Sequence, residues 1–194
     1  MTPTTLSRAE LVAELLANSS RPDSAGAPRV GDCEATSAYA MAPDAVLTRK
    51  LSAARELLMR DLQAQMRHGP IMDSPQTLRD WLRLHCAGLE HEVFLVLYLN
   101  AGHALIEAEQ LFRGTLTQTS VYPREVVKGA LSRNCSAVAI AHNHPSSGSA
   151  EPSRADEHLT QSLRSALALV DVRLIDHFIV SGDQVLSFAE RGLV

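Results

Sequence analysis

Ser136-Ala-Val-Ala-Ile-Ala-His142-Asn-His144-Pro145-Ser-Ser-Gly-Ser-Ala-Glu-Pro-Ser153-Arg-Ala-Asp156 reads as a strand, a loop and the start of a helix. Ser136 to Ala141 is an apolar run without a polar break, the pattern of a short strand buried on both faces. Pro145 stops the strand. Ser153 is an N-cap in sequence terms, and Ser153 to Leu169 carries Leu159, Leu163 and Leu167 on one helical stripe. Alternation along the strand puts His142 and His144 on the same face. Two imidazoles on one side of a strand end form two legs of a metal site. Asp156 falls in the first turn of the helix, where the helix N-terminus favours its charge and where it can project towards the histidines. The resulting His-His-Asp set leaves a fourth position open, which suits a catalytic zinc better than a closed structural one. His-x-His alone is often only solvent-facing, and Ser-x-x-Asp alone is a common cap. Their combination at this offset is far more specific.

The same texture extends on both sides. Val93 to Leu99 is a fully apolar run, read as a buried strand, followed by a turn at Asn100 to His103 and a returning strand from Ala104 to Glu109. Pro123 opens a helix carrying Val126, Val127, Ala130 and Leu131. Val172 to Val180 is a strand, Ser181 to Asp183 a turn, and Val185 to Phe188 a last strand. Ser74 and Pro75 start an earlier helix, with Leu78, Trp81, Leu82 and His85 on one face and Gly88 closing it. The order α-β-β-α-β-α-β-β predicts an α/β fold over residues 73–194, a mixed sheet layered with helices, mixed because of its two hairpins.

Upstream, Ser7 and Glu10 form a capping-box pattern, with Leu6 and Leu11 spaced as a hydrophobic staple. They open a short helix with a narrow stripe at Leu11, Val12, Leu15 and Leu16. Asn18 to Asp44 turns to Ser, Ala, Pro, Gly and Asp without a period and reads as a disordered linker, so residues 1–48 are a short helix plus linker. Residues 49–72 read as an amphipathic helix, with Leu51, Ala54, Leu58 and Leu62 at helical spacing, ended by Gly69 and Pro70. Its span from Arg49 to Arg67 holds five basic and two acidic residues, enough to touch nucleic acid but more simply a solvated face.

Composition sets the outer bounds. With 45% hydrophobic and 21% charged residues the 194-residue chain is globular, and 4% aromatics makes its core aliphatic. A formal net charge of −4 disfavours binding nucleic acid over the whole surface. The three cysteines, Cys33, Cys86 and Cys135, are far apart and form no C-x-x-C pair, which argues against both a disulfide framework and a thiolate zinc site. Such thiols fit a reducing cytosol. The start of the chain lacks the basic and apolar regions of a signal peptide, and the longest apolar run is seven residues, far short of a membrane span. The expectation is a cytoplasmic protein with no membrane partner.

The spacing His142-x-His144-Pro145-x7-Ser153-x2-Asp156 resembles the JAMM (MPN-plus) motif of zinc metalloproteases. GHALIEAEQLFRGT, SVYPREVVKGAL, AIAHNHPSSG, PSRADEHLT, LIDHFIV and SFAERG look like the bacterial RadC family. The resemblance is close across residues 91–194 and weak across 49–90, where only ARELLMRDLQAQM is similar. It implies a JAB/MPN domain, related in topology to the cytidine deaminases. The Cys pair of the zinc deaminases is absent from this stretch, which disfavours base deamination.

By this resemblance His142, His144 and Asp156 hold Zn²⁺, and a glutamate from earlier in the chain deprotonates the zinc water and passes the proton to the leaving amine. Glu92, directly before the first apolar strand, fits that position. Glu90 shares its face two residues earlier and is the rival. Glu107 and Glu109 read as surface charges. The family pattern also has Ser153 hydrogen-bond the oxyanion, in addition to its cap. His177, in Asp176-His177, is a RadC-like feature that reads as a buried structural residue or as support for a ligand. His158 reads as surface, and Gly148 as a turn glycine rather than a phosphate loop. The implied function is a zinc-dependent hydrolase of peptide or isopeptide amides. The alternative is a DNA-repair-associated accessory or DNA-binding protein without peptidase activity. Residues 1–48 lack the glycine hairpin of the helix-hairpin-helix-like region that supports DNA binding in the family, and no long insertion of the kind used to grip ubiquitin is present.

Overall fold

The structure, a computed structural model, describes residues 3–17, 45–115, 120–146 and 148–194. The chain divides into two compact units, residues 1–60 and 61–194. The first holds helix α1 (Arg8–Leu16) and most of helix α2 (Ala45–His68). Ser7 caps α1 through the expected box: its hydroxyl accepts from the Glu10 N–H, and the Glu10 carboxylate accepts from the Ser7 N–H at 2.7 Å. Of the α1 stripe only Leu11 is buried, while Leu16 is 76% exposed. The linker expected at 18–44 lies outside the described residues, as does Cys33.

Helix α2 corrects the sequence reading twice. It runs from Ala45 to His68 rather than over 49–72, and a separate 3-10 turn covers Ile71–Asp73. Of the stripe Leu51, Ala54, Leu58 and Leu62, the first and third are exposed and the other two half-buried, while Ala53 and Met66 are buried. The helix is apolar on more than one side, so its period identifies a helix without saying which side is covered.

The second unit is built on a five-stranded sheet in the order β2-β1-β3-β4-β5, formed by β1 (Val93–Leu99), β2 (Leu105–Arg113), β3 (Ala137–Asn143), β4 (Arg173–Ser181) and β5 (Gln184–Ser187). β3 and β4 are parallel and the other pairs antiparallel, so the sheet is mixed as expected. The parallel pair needs a crossover, which helix α5 (Arg154–Ala168) supplies. β1 and β3 are buried along their whole lengths, β1 as an unbroken apolar run and β3 as an apolar run that ends in the buried polar pair His142 and Asn143.

One face of the sheet, through Phe94, Val96, Tyr98, Val138 and Ile140, packs against Val126 and Ala130 of helix α4 (Pro123–Ser132) and Leu163 and Leu167 of α5. The Val, Leu, Ile and Phe side chains among these contribute about 1.5–3 kcal/mol each on full burial. Helix α3 (Pro75–Cys86) lies against β4 and β5, burying Leu78, Trp81 and Leu82. Pro75 sits in its first turn as read, but the Ser74 side chain makes no cap hydrogen bond. Neither Cys86 nor Cys135, both buried, is in a disulfide. Among the described residues no helix is long and apolar enough to cross a membrane.

Candidate metal centre

The centre forms where the C-terminal end of β3 meets the first turn of α5. His142 is the penultimate residue of β3. His144 lies one residue past the strand, held there by its N–H, which donates to the Val180 carbonyl at 2.8 Å. The two ring centroids are 4.8 Å apart and the two Nε2 atoms 3.0 Å apart. Asp156 brings Oδ1 to 3.2 Å from His142 Nε2 and Oδ2 to 4.0 Å from His144 Nε2. One ligand atom from each residue thus lies within 4.8 Å of the others.

The surroundings orient each donor. Ser153 caps α5 with Asp156 as its box partner. The Ser153 N–H donates to Asp156 Oδ2 at 2.8 Å, its hydroxyl donates to the same oxygen at 2.7 Å, and the hydroxyl oxygen accepts from the Asp156 N–H at 3.2 Å. The carboxylate is therefore fixed by the helix cap itself. Burial pushes the Asp156 carboxyl up, but its contact with His142 and the Ser153 donors outweigh burial and hold it well below the usual carboxylate range. It is an anion at neutral pH.

His144 Nδ1 faces the Ser149 carbonyl at 3.2 Å. A carbonyl only accepts, so Nδ1 carries a proton, and Nε2 is the ring atom turned towards His142 and Asp156. His142 Nδ1 faces His177 Nε2 at 2.8 Å. Two imidazole nitrogens and a carboxylate oxygen converge, with the outer nitrogen of each ring already engaged. That donor set fits a divalent zinc-like cation.

Glu92 sits immediately before β1, half-buried, with its backbone extending the sheet: its N–H donates to Thr115 and its carbonyl accepts from Gly114. The β1–β3 register ends with Phe94 paired to His142, so Glu92 lies two residues beyond that pair, at the end of the ladder that carries the histidines. Glu90 is exposed, at a bend outside the strand.

Glu107 and Glu109 are more than surface charges. Both bind Arg133, at 2.7 and 3.0 Å, and Glu109 accepts from the Tyr98 hydroxyl at 2.9 Å. His158 is exposed as read, and Gly148 has the positive φ of a turn glycine.

Two contributors escape the sequence reading. Asn143, between the histidines, accepts from the Val93 N–H at 2.7 Å and donates to the His91 carbonyl at 3.1 Å. It clamps the backbone on either side of Glu92. Thr160, one turn beyond Asp156, touches the ring of His177. A groove lined by Cys86, Gly88, Leu89, Pro145 and Ser181 runs up to His144.

Residues 72–193 match the family described as RadC-like JAB domain. The chain is 61% identical over 145 residues to a UPF0758 protein of Leptothrix cholodnii, 75% of this chain and 65% of the relative. It is 62% identical over 146 residues to a UPF0758 protein of Aromatoleum aromaticum, covering 75% and 64%. A UPF0758 protein of Nitrosomonas eutropha is 58% identical over 145 residues, covering 75% and 64%. The chain thus spans just under two thirds of the length of these relatives.

Proposed function

The chain belongs to the family of RadC-like JAB domains, and from that premise and the geometry of the centre we propose that it is a zinc-dependent hydrolase cleaving a peptide or isopeptide amide. The observation that carries this reading is the convergence of His142, His144 and Asp156 ligand atoms within 4.8 Å. Two neutral imidazoles and a carboxylate are a donor set of hydrolytic zinc sites, with a fourth position left for water or substrate. When bound, zinc supplies a Lewis acid that lowers the pKa of its water from about 15.7 towards 7.

The chain's own residues do the rest. Glu92 takes the proton of the attacking water and returns it to the leaving amine nitrogen. Asn143 holds the backbone that carries Glu92 in place. Ser153 donates its hydroxyl proton to the developing oxyanion. To do so the hydroxyl turns away from Asp156 Oδ2, which still keeps the Ser153 N–H. The groove beside His144 offers room for a chain of substrate.

The test combines metal content and turnover on the same preparations. The 194-residue protein loaded with zinc and desalted is expected to keep about one ion per chain. Asp156→Ala is expected to lose most of it. Glu92→Gln keeps the side-chain shape and the three ligands, so it should retain zinc while turnover of a peptide or isopeptide library falls by roughly 10²–10⁴-fold. Glu90→Gln is the control and should stay active. If Glu90→Gln is dead and Glu92→Gln active, the base moves by one strand repeat. Absence of metal after loading sinks the proposal. Salt-dependent DNA affinity without any hydrolysis would favour an accessory role in DNA repair instead.

A further inference from the structure

Asp176-His177 is a motif of the sequence that this mechanism leaves without a role. The two side chains point to opposite faces of β4. The β3–β4 register pairs Val138 with Leu174 but Ala139 with Asp176, so Ile175 is an extra residue, a bulge. Without it Asp176 would stand opposite Ile140 and face α5. With it His177 takes that place, opposite Ile140 and beneath α5, while Asp176 turns to the other side. There its carboxylate accepts from the Ser187 hydroxyl at 2.6 Å and from the Ala189 N–H at 2.9 Å.

His177 has no exposed surface. Its ring stacks on Phe188 at 4.5 Å and meets the edge of Phe94 at 6.4 Å. Each of its two nitrogens faces one of these residues: Nε2 lies 2.8 Å from His142 Nδ1, and Nδ1 lies 2.7 Å from Thr160 Oγ1. The Thr160 hydroxyl is also 2.7 Å from the Asp156 carbonyl oxygen, which can only accept. The single hydroxyl proton therefore goes to Asp156, and the oxygen accepts from His177 Nδ1–H. One proton must sit between His177 Nε2 and His142 Nδ1. On His177 it would make a cation inside an aromatic sleeve, at the cost of burying a charge. It belongs on His142.

We infer that His177 and Thr160 are positioning residues for the metal centre: a one-way chain, His142 Nδ1–H to His177 to Thr160 to the Asp156 carbonyl, holds His142 with its Nε2 lone pair facing the ion. The inference rests on the reading of His142 as a ligand. It means that the first two turns of α5 position two ligands at once, Asp156 through the Ser153 cap and His142 through Thr160. His144 gets the same service from a backbone carbonyl. His142, inside the sheet where the carbonyls are spent on the strand ladders, gets it from a side-chain relay.

The experiment uses the full chain labelled with ¹⁵N-histidine, with long-range ¹H–¹⁵N spectra taken metal-free and with zinc. The chain predicts His177 as the Nδ1–H tautomer in both, and His142 as Nδ1–H with zinc bound. Zinc affinity is read by competition with a chelator. Thr160→Val removes the hydroxyl at nearly constant shape and should weaken zinc binding by about 10- to 100-fold. Thr160→Ser restores the hydroxyl and should bind within a few-fold of wild type, which simple packing loss would not produce. His177 found as Nε2–H in the wild type overturns the proposal, as does a Thr160→Val protein with wild-type affinity and tautomers. Wild type that takes up no zinc while His177 remains Nδ1–H breaks the metal reading and leaves the relay standing. Wild type that binds zinc with Thr160→Val unchanged breaks the relay alone.

Discussion

Asn143 hydrogen-bonds to backbone atoms about fifty residues earlier in the chain. Both of its amide groups are spent on the segment that flanks Glu92, and the bond to the Val93 N–H is buried. Asn143→Ala should therefore cost about 1–3 kcal/mol in stability, the penalty of stranding a buried donor. It should also lower turnover while leaving zinc content near one per chain, because no ligand atom is touched. A chelator titration and a turnover assay on one preparation check both. Equal loss of zinc and activity would mean that Asn143 supports the ligands rather than Glu92. The residue shows why sites are only half legible. His142, His144 and Asp156 are close in sequence, and a strand period plus a helix cap brings them together. Asn143 reads as a spacer, because its partners are backbone atoms of a distant strand. Thr160 reads as one more polar helix residue, because its meaning depends on a bulge in β4.

At the scale of elements, α4 meets β1 at one tight point. A Cβ added at Gly129 would stand 2.2 Å from the Tyr98 hydroxyl oxygen and 3.0 Å from Cζ. Tyr98 cannot retreat: it is fully buried, bonded to Glu109, and covered by the Arg133 guanidinium 4.3 Å from its ring centroid. Alanine at 129 would gain roughly 1 kcal/mol of helix propensity and lose about 1–3 kcal/mol or more to overpacking, so Gly129→Ala should destabilise. In a Tyr98→Phe background the closest atom is gone and the cost should shrink, a coupling that a denaturation double-mutant cycle measures. The same hydroxyl gives a pH dependence. Burial, and then the Glu109 hydrogen bond, push Tyr98 well above the ordinary tyrosine range. Its raised pKa contributes stability that is complete below the unfolded value of about 10 and is lost as pH rises towards the folded value. Stability should fall above about pH 10, and Tyr98→Phe should flatten that limb. Hydrophobic period located these elements in their order, hairpins included. It did not reveal the close approach of Gly129 to Tyr98, which exists only once α4 is docked, nor which side of α2 is covered.

Across the whole molecule, every residue of the centre and its support, from Glu92 to His177, falls inside the unit 61–194 and inside the matched stretch 72–193. The ligands come from the end of β3 and the start of α5, and their orientation comes from β4 and the α5 cap. An unfolded chain offers none of this arrangement, so zinc binding is linked to folding. An ion that binds only the folded form adds RT ln(1 + [Zn]/Kd), about 4 kcal/mol at a free concentration of 1,000 Kd. For a domain of this size each kcal/mol is worth about 2–4 °C, so the melting temperature should rise by roughly 8–16 °C between metal-free and that zinc level. The rise should continue with the logarithm of free zinc, set with a chelator buffer, rather than saturate at one equivalent. Asp156→Ala should flatten the curve, and Thr160→Val should shift it to higher zinc by its loss of affinity. A fragment of residues 61–194 should show the same dependence as the full chain, since it contains every group that holds the site. A fragment that folds but melts independently of zinc, beside a full chain that responds, would place part of the centre's support in residues 1–60.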